Sequence, residues 1–232
     1  MTELDNRLQQ HLREIDRQGL RRRLFAFSQL TGSRISRAGR SYINLSGNDY
    51  LGLGSDRALV SEFYNQLDEA TFLERFTPGA GASRLMTGNS NLYPLLENRM
   101  TELYGRECCL VFNSGYHGNT AILPALAGKN DLILADRFCH ASIIDGMQLS
   151  RAKFLRYPHL DYGRLEEMLL EKRDQFDQVF IVTESVFSMD GDLADLQALT
   201  HLKKKYRCTL YVDEAHAVGV FGGIFFSDAS GP

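Results

Sequence analysis

From residue 90 to residue 219, apolar runs alternate with helix-like stripes, and this alternation predicts the architecture. Runs at Cys108–Phe112, Asp131–Ala135, Lys153–Tyr157, Gln178–Thr183 and Cys208–Val212 read as strands. Between them, Leu92, Leu95, Leu96, Met100 and Leu103 mark one helix, and Leu193, Leu196, Leu199 and Leu202 fall on one face of another. Further helices are expected up to Ser150 and over residues 161–172. Strand, helix, strand is the crossover unit of a parallel sheet. Nearer the start, Leu4, Leu8, Leu12 and Ile15 form an apolar stripe over residues 1–20, ended by Arg21-Arg22-Arg23. A short strand at Tyr42–Leu45 and a helix over 56–69 follow. The pattern divides the chain into an arm and short strand (1–50) and a large α/β domain (51–232).

Composition narrows the picture. With 44% hydrophobic residues in 232, the chain supports a sizeable core. A net charge of −3 gives no electrostatic reason to expect nucleic acid or an anionic membrane as partner. No apolar run approaches the roughly 18 residues of a membrane span, and no signal peptide opens the chain, so a cytoplasmic enzyme is expected. Cys108, Cys109, Cys139 and Cys208 form no C-x-x-C pair and read as reduced cysteines.

The candidate chemistry lies where two strands end. One runs into Glu184-Ser-Val-Phe-Ser188-Met-Asp190-Gly-Asp192, the other into Asp213-Glu-Ala-His216. Such strand ends line the ligand crevice of open α/β sheets. As a helicase acidic box, Asp213-Glu-Ala-His216 would need a phosphate loop G-x-x-x-x-G-K-[ST]; the one Gly-Lys pair, Gly128-Lys129, continues with Asn130. A pyridoxal-phosphate site fits better: a carboxylate keeps the pyridine nitrogen protonated, and a His three residues on reaches the phenolic oxygen. His140 also sits at a strand end, where structural, catalytic and metal-binding roles compete. His140, Asp213 and His216 have a metal-like composition but no recognised metal-site spacing, so no metal is expected. Gly79-Ala-Gly81 lacks the third glycine of a dinucleotide fingerprint and reads as flexible backbone at a contact. In Asn113-Ser-Gly115-Tyr116-His117-Gly118-Asn119, helix-terminal amides suit a phosphate, although a tight turn needs glycine too. Arg21 reads as a helix-dipole partner or an anion site, and Asn48 as a turn residue or more.

Six motifs, in order, carry a resemblance. They are Asn48-Asp-Tyr-Leu-Gly-Leu53, Gly79-Ala-Gly-Ala-Ser-Arg-Leu-Met-Thr-Gly-Asn89 with Leu96-Glu97, Ser114-Gly-Tyr116, Asp136-Arg-Phe-Cys-His-Ala-Ser142, Thr183–Asp192 and Val212–Gly219. From about Leu20 to Gly219 the chain resembles the α-oxoamine synthases, a family of fold type I pyridoxal-phosphate enzymes. The resemblance implies an aspartate-aminotransferase-like α/β fold, with a mostly parallel sheet flanked by helices, and pyridoxal 5'-phosphate as cofactor. It places Asp213 at the pyridine nitrogen, His216 at the phenolic oxygen and His140 on the ring face, within reach of the substrate carboxylate. Gly115 and Tyr116 would meet the phosphate, Ser188 would line the pocket, Arg21 would contact the acyl substrate and Asn48 would lie near the substrate. The implied reaction is a decarboxylative condensation, which makes the protein an acyltransferase. The Ser83–Asn89 run resembles the biotin-pathway branch, which joins L-alanine to a pimeloyl thioester carried by coenzyme A or acyl carrier protein. Another amino acid or acyl group, or a non-catalytic subunit, is the alternative. The family's sites form at a homodimer interface.

One departure is expected to matter. The family's Schiff-base lysine lies beyond the Asp-x-Ala-His motif, and the sequence reaches Pro232 before it. Lys203, Lys204 and Lys205 belong to the helix before Asp213 and read as a solvated face. The segment Phe221–Pro232 does not resemble the family's continuation. The chain therefore reads as truncated, frame-altered or a fragment, with the C-terminal part of the fold missing. Uncovered apolar surface near Asp213, Ile224, Phe225 and Phe226, weak cofactor binding and no turnover are the expected consequences.

Overall fold

Helix α1 (Glu3–Arg17) opens with a capping box. The Asp5 amide donates to the Thr2 hydroxyl at 3.2 Å, and the Asp5 carboxylate accepts from the Thr2 amide at 2.7 Å. The computed structural model describes residues 2–29, 32–68, 70, 72 and 79–221. It forms two units, residues 1–67 and 68–232.

In the first unit, Leu4, Leu8 and Leu12 lie along α1 as expected, each about half exposed. The helix stops at Arg17, earlier than the arginine run; Gln18 caps it, and Arg21 turns back to Asp16 at 2.6 Å. Three strands not all foreseen follow: β1 (Ser28–Gln29), β2 (Arg34–Arg37) and β3 (Arg40–Ile43). They form an antiparallel sheet in the order β1-β2-β3. The β2–β3 turn places Ala38 and Gly39 at φ 49° and 74°, the left-handed pair that a two-residue hairpin needs. Helix α2 (Arg57–Asn65) starts at Asp56, whose carboxylate accepts from the Ala58 and Leu59 amides.

The second unit carries helices α3 (Leu92–Tyr104) and α4 (Gly115–Leu126), then β4 (Leu132–Asp136), α5 (Ala141–Leu149) and β5 (Lys153–Tyr157). Helix α6 (Tyr162–Lys172), β6 (Val179–Glu184), α7 (Leu196–Tyr206) and β7 (Thr209–Asp213) follow. All four strands are parallel, in the order β5-β4-β6-β7. Every residue of β4 and β6 is buried, and alternate side chains serve opposite faces. Leu132, Leu134, Val179 and Ile181 pack with Leu165, Leu169, Leu199 and Leu202 of α6 and α7. Ile133, Ala135, Phe180 and Val182 pack with Leu123, Ile143 and Met147 of α4 and α5. Two helical layers therefore sandwich the sheet. After β5 the chain crosses to the other side of β4, so the strand order reverses between β4 and β6. Ligand crevices of open α/β sheets form at the carboxyl ends beside such a reversal.

The expected strand at Cys108–Phe112 does not form. Its backbone finds side chains instead of a neighbouring strand: the Val111 amide donates to Glu97 Oε1 at 2.9 Å, and the Val111 carbonyl accepts from Arg84 Nη1 at 2.8 Å. Arg84 and Glu97 are themselves paired at 2.8 Å. Leu193 precedes α7 rather than joining it, and bridges to Val186. Thr77, Pro78 and residues 222–232, with Ile224, Phe225 and Phe226, lie outside the described residues. Among the described residues no helix is long and apolar enough to cross a membrane.

Candidate active site

Strands β4, β6 and β7 deliver Asp136, Glu184 and Asp213 to one edge of the sheet. Helices α4 and α5 begin at that edge, at Ser114 and His140. The Ser114 hydroxyl accepts from the His117 amide at 3.1 Å, while amides of a first helical turn have no acceptor inside the helix. A Cβ built on Gly115 meets nothing within 4 Å, so the backbone is open there. His140 caps α5 through its ring: Nδ1 accepts from the Ser142 amide at 3.2 Å and lies 2.7 Å from the Ser142 hydroxyl.

Asn119, buried in α4, ties these parts together. Its Nδ2 donates one proton to Asp213 Oδ2 at 2.8 Å and the other to Ser142 Oγ at 2.9 Å. Its Oδ1 accepts from the Tyr211 hydroxyl at 2.5 Å. With both amide protons used, the Ser142 hydroxyl proton is free to point at His140 Nδ1. Nδ1 is then an acceptor, and the neutral ring carries its proton on Nε2, away from α5. The other Asp213 oxygen accepts from the Ala215 amide at 2.9 Å. Burial and the Asp213 charge push the Tyr211 phenol up to about 12, so it stays a donor.

Glu184 stands beside Asp213 in register and is buried. Its carboxylate accepts from the His140 amide at 2.5 Å. Burial, then the charges of Asp213 and Asp136, raise its pKa to about 7, against the lowering effect of that amide and of His159. Tyr116 meets the His140 ring edge to face at 6.3 Å and donates to Asp145 of α5.

Of the residues singled out in the sequence, Gly115, Tyr116, His140 and Asp213 therefore share one edge. His216 follows Asp213 in the turn after β7, half-buried, and Ser188 is exposed in the turn after β6. Arg21 and Asn48 belong to the first unit, Arg21 paired with Asp16 and Asn48 exposed after β3. Sequence reasoning gave no role to Asn119, nor to Glu184 beyond its place in the strand-end cluster. An Asn in the fifth helical position and a Glu at a strand end carry no periodic signal. The polar, buried strand end Thr183-Glu184-Ser185 was the available clue.

The aminotransferase class I and II family matches residues 40–230. The chain belongs to this family. An 8-amino-7-oxononanoate synthase from Chlorobaculum parvum is 53% identical over 82% of the chain and 49% of its own length. The chain spans about half the length of the curated relatives it matches. Among solved structures, a serine palmitoyltransferase from S. paucimobilis, holding pyridoxal phosphate and myriocin, aligns with a TM-score of 0.76. It is 27% identical over 92% of the chain and 53% of its own. An 8-amino-7-oxononanoate synthase from Francisella tularensis aligns with a TM-score of 0.56, at 30% identity over 73% of the chain and 44% of its own. The fold is thus the expected fold type I arrangement, an aspartate-aminotransferase-like parallel sheet flanked by helices.

Proposed function

We propose that the chain is the cofactor-binding part of a pyridoxal-phosphate enzyme that condenses L-alanine with a pimeloyl thioester, releasing carbon dioxide and forming 8-amino-7-oxononanoate for biotin. The observation that carries the cofactor reading is the Asp213 carboxylate, aimed from both sides by Asn119 and the Ala215 amide at the edge where α4 begins. The residues fit the group. A carboxylate suits the pyridine nitrogen, the open backbone at Gly115 suits a phosphate, and the exposed His140 ring suits the aromatic face. When bound, pyridoxal phosphate supplies an electron sink for a carbanion at the amino acid Cα.

The tasks of Asp213, His140 and Gly115 draw on the geometry of the sheet edge, and those of the other residues on the resemblance. Asp213 holds negative charge where a ring nitrogen must keep its proton. His140, with Nδ1 occupied by Ser142, presents its flat face and Nε2–H to the ring and to a substrate carboxylate. The first-turn amides at Gly115 and Tyr116 receive phosphate oxygens, and His216 reaches toward the phenolic oxygen. On the resemblance, Ser188 would line the pocket, Arg21 would contact the acyl substrate and Asn48 would lie near the substrate. The product follows the name of the Chlorobaculum parvum relative, and L-alanine and a pimeloyl thioester follow the resemblance of the Ser83–Asn89 run to the biotin-pathway branch. Coenzyme A or acyl carrier protein brings the acyl group, and a cytoplasmic homodimer is the form in which we place the enzyme.

Absorbance titration of the purified chain with pyridoxal phosphate tests the cofactor reading. Saturable binding that is about tenfold weaker in Asp213→Ala is expected. A wild-type chain that does not bind, or a variant that binds equally well, overturns it. Addition of L-alanine, but not glycine or L-serine, should then change the spectrum of the complex; equal responses to all three would remove the alanine assignment.

A further inference from the structure

A second polar cluster lies beside the site and takes no part in the roles above. His159, in the loop after β5, has a carboxylate on each ring nitrogen: Asp136 Oδ1 is 2.9 Å from Nδ1, and Asp192 Oδ2 is 3.1 Å from Nε2. The ring stacks on Phe138 with centroids 4.4 Å apart and meets Phe187 edge to face at 4.4 Å. Asp136 is wholly buried and also accepts from the Phe138 and Leu160 amides, at 2.8 and 2.9 Å. Asp192 is half exposed. A neutral imidazole has one N–H, and a carboxylate has none. Two carboxylates therefore both receive hydrogen bonds only if the ring is the imidazolium.

The groups held on the far side belong to the turn that carries Ser188. The Phe187 amide donates to the Asp192 carbonyl at 2.9 Å, and the Gly191 amide donates to the Phe187 carbonyl at 2.9 Å. Ser188, Met189 and Asp190 are thus the tip of a loop closed on itself and fastened at its base to His159. Sequence spacing hides this, because Asp136 ends β4 while His159 and Asp192 lie in two different connections.

We infer that His159 works as a charged strut that positions the Ser188 turn against the carboxyl edge of the sheet, and that the turn loosens when the ring loses its proton. The cofactor consequence rests on the pyridoxal-phosphate reading; the strut itself does not. Other charged groups shape the strut. Glu184 feels the His159 charge from β6, and Arg137 lies over the Phe138 ring at 5.7 Å. The Tyr157 and Tyr162 phenols and the Cys139 thiol feel Asp136. Burial pulls the His159 pKa down, but Asp136 and Asp192 together outweigh it and leave it above its usual 6.5. The stabilisation is therefore full below 6.5 and is lost as pH rises through the folded value. Asp192 is the partner released, because Asp136 is the buried one.

The test uses the full ¹⁵N-labelled chain, titrated from about pH 5 to 10, with long-range ¹H–¹⁵N spectra of the histidine rings. His159→Gln identifies the His159 signals. Protons on both ring nitrogens below pH 6.5 and a midpoint above 6.5 are expected. In Asp192→Asn the midpoint should drop by about one unit, with unchanged circular dichroism. Hydrogen exchange of the Phe187 and Gly191 amides should be about tenfold faster in Asp192→Asn at about pH 6, with β4 amides unaffected. A ring already neutral at pH 6.5, an unmoved midpoint or unchanged loop exchange overturns the strut. Pyridoxal phosphate affinity should fall severalfold across the His159 titration in the wild type and be low and flat with pH in Asp192→Asn. Parallel affinity curves overturn the link to the cofactor, whereas no binding at any pH overturns the cofactor reading and leaves the ring spectra to judge the strut.

Discussion

At the scale of single residues, the site is governed by which polar groups are kept away from water, and by how few protons they share. Asn119 has two amide protons and one carbonyl oxygen, and all three are committed to Ser142, Asp213 and Tyr211. Glu184 is the opposite case, a buried carboxylate between Asp136 and Asp213 that is relieved mainly by one amide and by the His159 charge. Its pKa of about 7 makes it a proton store at the strand end nearest His140. The folded carboxyl holds its proton more tightly than the unfolded one. The stability it contributes is full below 4.5 and disappears as pH rises through about 7. Urea unfolding of wild type and Glu184→Gln across this interval should show the wild type losing about 3 kcal/mol relative to the variant. Parallel pH curves would remove Glu184 from the account. The His140 amide contact should survive protonation, because a neutral carboxyl still accepts at its carbonyl oxygen.

At the scale of elements, the contact between α4 and α5 decides whether these residues can meet. A Cβ on Gly146 of α5 would lie 2.4 Å from the Asn119 carbonyl oxygen and 3.1 Å from Leu123 Cδ1. Backbone cannot yield at that distance, so Gly146→Ala must push α4 off α5. A loss of about 1–3 kcal/mol in urea unfolding is expected, together with weaker pyridoxal phosphate binding, since Asn119 would move from Asp213. A fully stable Gly146→Ala chain would show that the helices are free to part. Elements were also the level most legible in the sequence. Strands β4 to β7 and helices α5 to α7 announce themselves because buried apolar runs and three- to four-residue stripes are local patterns. Cys108–Phe112 carries the same apolar signal, yet Glu97 and Arg84 satisfy Val111 and no strand forms. Strands β1 and β2 were invisible for the converse reason, being short and polar, with Arg34 and Arg37 at the ends of β2. That Asp213, His140, Gly115 and Tyr116 share one edge was legible because strand ends and helix starts are. The bond from Asn119 to Asp213 spans 94 positions, and the three residues of the His159 strut come from the end of β4 and two separate connections, so no local pattern records either.

At the scale of the molecule, the lysines of the second unit are sorted to one edge, where Asp131 and Asp177 also stand. Asp136, Glu184, Asp213 and Asp192 gather where the strands end. All six lysines lie where the strands begin: Lys129 before β4, Lys153 at the start of β5, Lys172 at the end of α6 and Lys203, Lys204 and Lys205 in the last turn of α7. On the proposed reading, a cofactor phosphate at the acidic edge would meet backbone amides at the start of α4 rather than ammonium groups. The same sorting keeps every lysine amine of this chain a full strand length from Asp213, roughly 15 Å at 3.3 Å per residue. A Schiff base to the cofactor needs direct bonding, so none of the six can make it at this site. When the chain is mixed with pyridoxal phosphate, reduced with borohydride and peptide-mapped, the adducts should be substoichiometric. They should be spread over exposed lysines and unchanged by Asp213→Ala, even where the absorbance titration shows saturable binding. One stoichiometric adduct on a single lysine, abolished by Asp213→Ala, would mean that a lysine reaches the acidic edge and that the sorting of lysines is not the rule of this molecule. The predicted pattern would instead make noncovalent holding the property of these 232 residues, with Asp213, His140 and the α4 amides sufficient for it.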